Sequence, residues 1–316
     1  MGTPLIQTVD LIKYFNTPNG KLHAVDKVNM EIQKGETLGV VGESGCGKST
    51  LGRTILRLLD PTDGDILYNG ESIVHYNKAQ MKQMRNEMQI IFQDPFTSLN
   101  PRMTVSDIIA EPIRVSGMIK NKKEIQERVE HLMETVGLAR RFINTFPHEL
   151  DGGRRQRIGI ARALAVDPGF IVCDEPVSAL DVSIQAQILN LMMDLQENIG
   201  LTYMFVTHDM SVVKHISQHI MVMYLGQSVE KAPTEELFEN PLHPYTKALL
   251  DAIFVPSIRH RKELKILKGE VTNPVEPKPG CRFADRCPVA ATECYGHDFV
   301  LKEVSPGHFV ACRLYQ

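Results

Sequence analysis

The chain has 316 residues, 43% hydrophobic and 23% charged, with a formal net charge of −3. That length suffices for a sizeable core and about two domains, and the mild acidity gives no electrostatic reason to expect nucleic acid as the main ligand. No run of about 18 apolar residues is present to span a bilayer. MGTPLIQTVDLIKYF also lacks the charged, apolar and small-residue regions of a secretory leader, so the expected compartment is the cytoplasm, where thiols stay reduced.

In chain order, residues 1–41 read as short strands: LIQTVDLIKYF, VDKVNMEI and ETLGVV. KSTLGRTILRLL predicts a helix from Lys48 to Leu59 with Leu51, Ile55, Leu58 and Leu59 on one face, stopped by Asp60-Pro61. GDILYNGESI reads as a strand and turn. From about Asn100 to Gly159 the pattern is helical and polar, and Ile125, Val129, Leu132, Met133 and Val136 form one stripe. GFIVCD is a short apolar run of the kind that forms a buried parallel strand. The helix SIQAQILNLMMDLQENIG and the strand TYMFVTHD follow. This alternation predicts an α/β sheet with a helical insertion between Gln93 and Phe170. Beyond Glu230 the chain is punctuated by proline, residues 255–280 read as a linker, and a cysteine-rich tail ends it.

VVGESGCGKST carries the strongest chemical signal. Gly42, four residues, then Gly47-Lys48-Ser49 follow an apolar strand and open a helix, which is a P-loop in its required context. Glycines let the backbone curl its N–H groups toward phosphate oxygens, and the helix start adds positive charge. Lys48 reaches the β- and γ-phosphates, and the Ser49 hydroxyl ligates Mg²⁺. Glu43, Ser44, Gly45, Cys46 and Thr50 complete the candidate nucleotide-binding stretch, with the Cys46 side chain read as packing. Later, FIVCDEP runs a buried strand into Asp174, a Mg²⁺ holder through water, and Glu175, placed to polarise an attacking water. By strand alternation Cys173 points away from Asp174, into the core.

With these motifs in order, the chain resembles the ATP-binding subunits of ABC transporters from residue 4 to about 250. FQDP resembles the family's Q-loop, with Gln93 sensing Mg²⁺ and the membrane partner. LDGGRRQRIGIARAL resembles the signature motif, SALD (Ser178 to Asp181) the D-loop, and VTHD places His208 at the switch histidine. Phe15 matches the adenine-stacking aromatic, with Tyr14 as rival. The resemblance implies a P-loop NTPase with a RecA-like α/β core, an antiparallel β subdomain, and a helical subdomain at about 95–160 that receives a membrane-subunit coupling helix. It also implies that ATP closes a head-to-tail dimer, one P-loop facing the partner's signature helix at Gly152 and Gly153. His208 alone reads as a strand-end histidine; in this company it bonds the γ-phosphate. The family usually has Ser where this chain has Asp151 and Gln where it has Arg154. An ionised aspartate cannot donate to phosphate, but it is a good N-cap, and Arg154 or Arg155 can offset its charge. A kinase would lack the signature helix, and a ribosome- or DNA-directed ABC ATPase would carry two cassettes or a coiled-coil insertion.

QDPFTSLNPRMTV, EPVSALDVSIQAQILNLMMDLQ and NPLHPYTKALLDAI resemble the oligopeptide/dipeptide/nickel importer group. The resemblance implies a second ATPase subunit (homologue or self), two transmembrane permease subunits, an extracytoplasmic peptide-binding protein, and a peripheral position on the cytoplasmic membrane face. Nickel or a sugar is the alternative cargo. The expected domains are an ATPase at 1–254 and a linker with cysteine-rich tail at 255–316. In that tail Cys281, Cys287, Cys294 and Cys312 are spaced C-x5-C-x6-C-x17-C. Two disulfides suit a secreted domain rather than a cytosolic one. Structural zinc favours closer knuckles, and free thiols remain open. The family tail favours a [4Fe–4S] cluster, with zinc the alternative. His297 and His308 are candidate substitute ligands but are read first as surface residues, and the tail as too poor in apolar residues to form its own core.

Overall fold

The computed structural model describes residues 2–252 and 274–316, so the predicted linker lies mostly outside the described residues. By internal contacts the chain divides into two compact units, one of residues 1–32, 37–74 and 207–316, the other of 33–36 and 75–206.

The first unit opens with the antiparallel strands β1 (Ile6–Thr17) and β2 (Gly20–Ile32), paired from Ile6↔Ile32 to Thr17↔Gly20. The alternating burial of β2 from Val28 to Ile32 follows the period-2 pattern of a strand with one face in a core. Strand β3 (Thr37–Val41) is buried throughout. The phosphate loop leads from it into helix α1 (Lys48–Ile55). This helix stops four residues before the predicted end. Leu56 closes the last turn, Arg57 takes a left-handed φ of 53°, and its side chain bonds Asp60, which leaves Leu58 exposed. Strands β4 (Asp63–Tyr68) and β5 (Glu71–Ser72) complete an antiparallel sheet of order β2-β1-β4-β5.

The second unit is mostly helical. Helix α2 (Lys78–Glu87) begins with a capping box of Asn77 and Gln80 and leads into strand β6 (Met88–Ile91). After the short α3 (Pro95–Ser98) come α4 (Val105–Ser116), capped by Thr104 and ended by left-handed Gly117, and α5 (Lys122–Thr135). The predicted stripe on α5 and just beyond it is buried at every position, from Ile125 to Val136. Each such side chain contributes about 1.5–3 kcal/mol when fully removed from water. Helix α6 (Gly152–Leu164) precedes strand β7 (Phe170–Asp174). Helix α7 (Val182–Ile199), capped by Asp181, leads to strand β8 (Thr202–Thr207). Strands β6, β7 and β8 are parallel neighbours, in register at Met88↔Phe170 and Phe170↔Thr202, and the continuous burial of β7 and β8 matches the predicted parallel sheet.

The chain then returns to the first unit. Helix α8 (Met210–Ile216) leads to β9 (His219–Tyr224), parallel to β3, and β10 (Gln227–Pro233) turns back antiparallel to β9. Helices α9 (Thr234–Glu239) and α10 (Pro244–Asp251) follow, the latter starting on a proline whose missing N–H costs nothing there. The tail adds β11 (Lys302–Ser305) and β12 (His308–Val310), and β12 pairs with β10 at Glu230↔Val310. The tail packs against the rest of its unit. Phe283 is buried edge-on against Tyr224 and tilted against Tyr245.

Candidate nucleotide site and cysteine tail

The loop between β3 and α1 is curled around its own lysine. Lys48 is 4% exposed, and its Nζ donates to the carbonyls of Gly42 at 2.7 Å and Glu43 at 2.9 Å. Two glycines make the curl possible. Gly42 has φ 154° and Gly47 φ 103°, and a Cβ at either would lie 2.2 Å from the Met223 carbonyl oxygen or 2.0 Å from that of Ala24. Ser44 and Gly45 at the tip are exposed, while Ser49 and Thr50 sit in the first turn of α1. Cys46 packs as predicted, 2% exposed with its Sγ 3.7 Å from the Lys48 ammonium, and burial pushes its thiol pKa up. An inward lysine above a helix start is an anion-binding arrangement.

The two aromatic candidates on β1 separate clearly. Tyr14 stacks on His23 with centroids 3.8 Å apart and donates its hydroxyl to Asp26 at 2.6 Å. Burial opposes the charge of Asp26, but bonds from Tyr14 and Arg282 hold its pKa below the ordinary carboxylate value. Tyr14 is thus engaged inside the unit. Phe15, its neighbour in the strand, is half-buried with the Lys13 ammonium 5.1 Å from its ring centre. His208 is exposed in the first unit, in the turn before α8, whose N-cap is Asp209.

In the second unit, β7 delivers Asp174 in a fully buried position, 1% exposed, with Cys173 buried beside it as expected. Glu175 follows at φ 48°, a left-handed conformation that costs a non-glycine residue about 1–3 kcal/mol. It is held there by its N–H bond to the Val206 carbonyl at 2.9 Å. Gln93 donates its Nε2 to Glu175 Oε2 at 2.9 Å, so these two predicted residues meet directly. Asp181 caps α7 through Ile184 N–H at 3.0 Å. Gly152 and Gly153 open α6, and Asp151 is its N-cap, accepting from Arg154 N–H at 2.8 Å. The Arg154 guanidinium pairs with the same carboxylate at 2.6 Å. Arg155 does not: it donates to Pro147 and His148 carbonyls and lies 3.8 Å over the Phe96 ring.

The tail reaches the phosphate loop, which sequence reasoning missed. Arg286 grips the Glu43 carboxylate with both guanidinium ends, at 2.7 and 2.9 Å, and donates to Tyr224 Oη at 3.3 Å. Arg282 pairs with Asp26 and the Leu225 carbonyl. The only local signal is the spacing of two arginines between cysteines. Cys281, Cys287, Cys294 and Cys312 are all free thiols and line one small cavity with His243, Phe283 and Val289. Burial, with the neighbouring thiols adding to it, pushes Cys281 up to about 11, and burial also raises Cys287 and Cys312. Burial holds His243 down at about 4. Among the described residues no three His, Cys, Asp or Glu side chains converge as ligands of a single metal ion. His297 is exposed as predicted, but His308 is not a surface residue. It is fully buried, its Nε2 2.8 Å from Glu230 Oε1 and its Nδ1 3.4 Å from Glu236 Oε1.

A glycine-curled loop with an inward lysine, set between a buried strand and a helix start, defines a P-loop nucleoside triphosphatase. A family model described as "ABC transporter" matches residues 25–178, and one described as "Oligopeptide/dipeptide transporter, C-terminal region" matches residues 229–294. The oligopeptide transport ATP-binding protein OppF of Bacillus subtilis is 52% identical over 99% of this chain and 97% of its own length. AppF of the same organism, also described as an oligopeptide transport ATP-binding protein, is 50% identical over 98% and 97%. Among solved structures, the ATP-binding cassette MJ0796, a dimer bound to ADP and Pi in a post-hydrolysis state, superposes with a TM-score of 0.67 at 28% identity. It covers 72% of this chain and 98% of that one. The chain belongs to the oligopeptide group of ABC transporter ATP-binding subunits, and it is an ABC-type ATPase. Among the described residues no helix is long and apolar enough to cross a membrane.

Proposed function

We propose that this chain hydrolyses ATP to energise import of oligopeptides, acting on the cytoplasmic membrane face as one of two ATPase subunits beneath two permease subunits. The curled Gly42–Lys48 loop with its inward lysine carries the ATPase reading, and the match of residues 229–294 to the oligopeptide/dipeptide C-terminal region supports the cargo. An extracytoplasmic binding protein would deliver the peptide. We retain the division into an ATPase domain at 1–254, with its helical part at about 95–160, and a tail at 255–316.

Each residue then has a role. Lys48 leaves the Gly42 and Glu43 carbonyls to take phosphate oxygens, and the loop's N–H groups take others. Phe15 stacks on adenine, because Tyr14 is already committed to His23 and Asp26. Ser49 and Gln93 would hold Mg²⁺, with Asp174 acting through water, and the ion would supply charge neutralisation at the phosphates. Glu175 polarises the attacking water, and its bond from Gln93 orients the carboxylate. His208 bonds the γ-phosphate. Asp151, Gly152 and Gly153 face the nucleotide of the partner subunit, and Asp181 holds the α7 start that follows the D-loop.

For the tail we keep the reading that the family resemblance implies, a [4Fe–4S] cluster on Cys281, Cys287, Cys294 and Cys312 with zinc as the alternative; its support is that the four free cysteines line one cavity. Burial disfavours ionisation of Cys281, Cys287 and Cys312, a cost that a bound cation would offset. A cluster would supply four covalent tethers to a segment that lacks a core of its own.

Glu175→Gln tests the mechanism. It retains the geometry but loses the base, so turnover falls by at least about 100-fold, and ATP with Mg²⁺ holds a dimer detectable by size-exclusion chromatography. Unchanged hydrolysis removes Glu175 from its role.

A further inference from the structure

We propose that Arg286 of the cysteine tail is a positioning residue of the phosphate cradle. Through it the tail sets the affinity of this subunit for ATP.

Glu43 is the second residue of the phosphate loop, and it is held from three sides. Its N–H donates to Tyr245 Oη of α10 at 2.8 Å. Its carbonyl accepts from Lys48 at 2.9 Å. Its carboxylate is forked by Arg286 at 2.7 and 2.9 Å. The side chains of this pair are 7% exposed for Arg286 and 25% for Glu43, so the bond is shielded from solvent competition. Tyr224 accepts from the same guanidinium and packs edge-on to Tyr245 and Phe283, which joins the three anchors into one block.

The loop faces an electrostatic problem that this clamp solves. A carboxylate beside the anion site repels the triphosphate, and a free carboxylate would also compete for Lys48. Arg286 cancels the charge and fixes the side chain away from the lysine. Arg286 is also the last residue of the short turn Ala284–Arg286, which the Cys281 carbonyl and the Cys287 N–H close at its two ends. The residue that positions the loop is therefore placed by the backbone of two of the tail cysteines.

The inference rests on reading Gly42–Ser49 as the nucleotide cradle, and a thermodynamic cycle separates the two. ATP binding is measured by titration calorimetry on the full chain and on Arg286→Ala, Glu43→Gln and the double variant. Arg286→Ala should raise the ATP dissociation constant about tenfold, the scale of a charge-assisted bond left unpaired. At saturating ATP, kcat should change far less than KM. Removing the carboxylate removes the need for its partner, so the double variant should bind within about threefold of Glu43→Gln alone. Arg286→Gln, which keeps the side-chain bulk, takes the place of the alanine variant if that one does not fold. Parent-like affinity in either Arg286 variant, or a double variant as weak as Arg286→Ala, overturns the role of Arg286. A parent chain that binds no ATP overturns the cradle itself.

Discussion

At Asp151 a carboxylate stands where the family resemblance leads one to expect a serine hydroxyl. It caps α6 through the Arg154 N–H and is paired with the Arg154 side chain. Both side chains are about half exposed, so the ion pair contributes little stability and the cap contributes more. Serine caps nearly as well and can donate to phosphate. Asp151→Ser should therefore leave stability within about 0.5 kcal/mol of the parent and raise ATP-dependent dimer formation, scored in the Glu175→Gln background. Asp151→Ala should instead cost about 1 kcal/mol in chemical denaturation. Weaker dimerisation of the serine variant would contradict the charge argument. These features were legible because they are local: a cap is written within four residues, and the P-loop within eight. Tyr14 was resolved only by its contacts, since nothing in YF says which ring stacks on His23 and which is left half-buried.

Among the elements, the tail departs most from what its sequence announced. A segment with few apolar residues reads as separate, yet β12 extends the sheet along β10, and His308 enters a fully buried site against Glu230. Nothing local marks that pair, whose members are 78 residues apart. Burial opposes the imidazolium, but the bond to Glu230 and the proximity of Glu230 and Glu236 outweigh it and raise the His308 pKa. A raised folded value means stabilisation that is complete below the unfolded pKa of about 6.5 and is lost as pH rises through the folded value. Between about pH 6 and about pH 9 the parent should thus lose more unfolding free energy than His308→Gln, which should also be about 3 kcal/mol less stable at the lower pH. Equal slopes for the two proteins would exclude His308 as the source. The cysteines make a second test. Anaerobically purified protein should be coloured and carry about four irons per chain, and Cys287→Ser should lose them; a colourless chain with about one zinc would favour the alternative metal.

Across the whole molecule, the alternation of strands and helices was readable because each element carries its own periodicity. The buried β7 and β8 and the α5 stripe fall where the apolar pattern places them. The grouping of distant segments was not readable. Residues 1–74 and 207–316, apart from a short stretch at 33–36, share one unit, and no periodicity encodes which late segment completes an early one. The Arg286–Glu43 clamp is one such case, joining residues 243 positions apart. That separation has a consequence for biosynthesis. At about 5–20 residues per second, roughly 12 to 50 seconds pass between translation of the phosphate loop and translation of the arginine that anchors it. During that interval the nascent chain carries the loop without its anchor, so a growing polypeptide cannot acquire the folded subunit's grip on ATP before the codon for Arg286 is read.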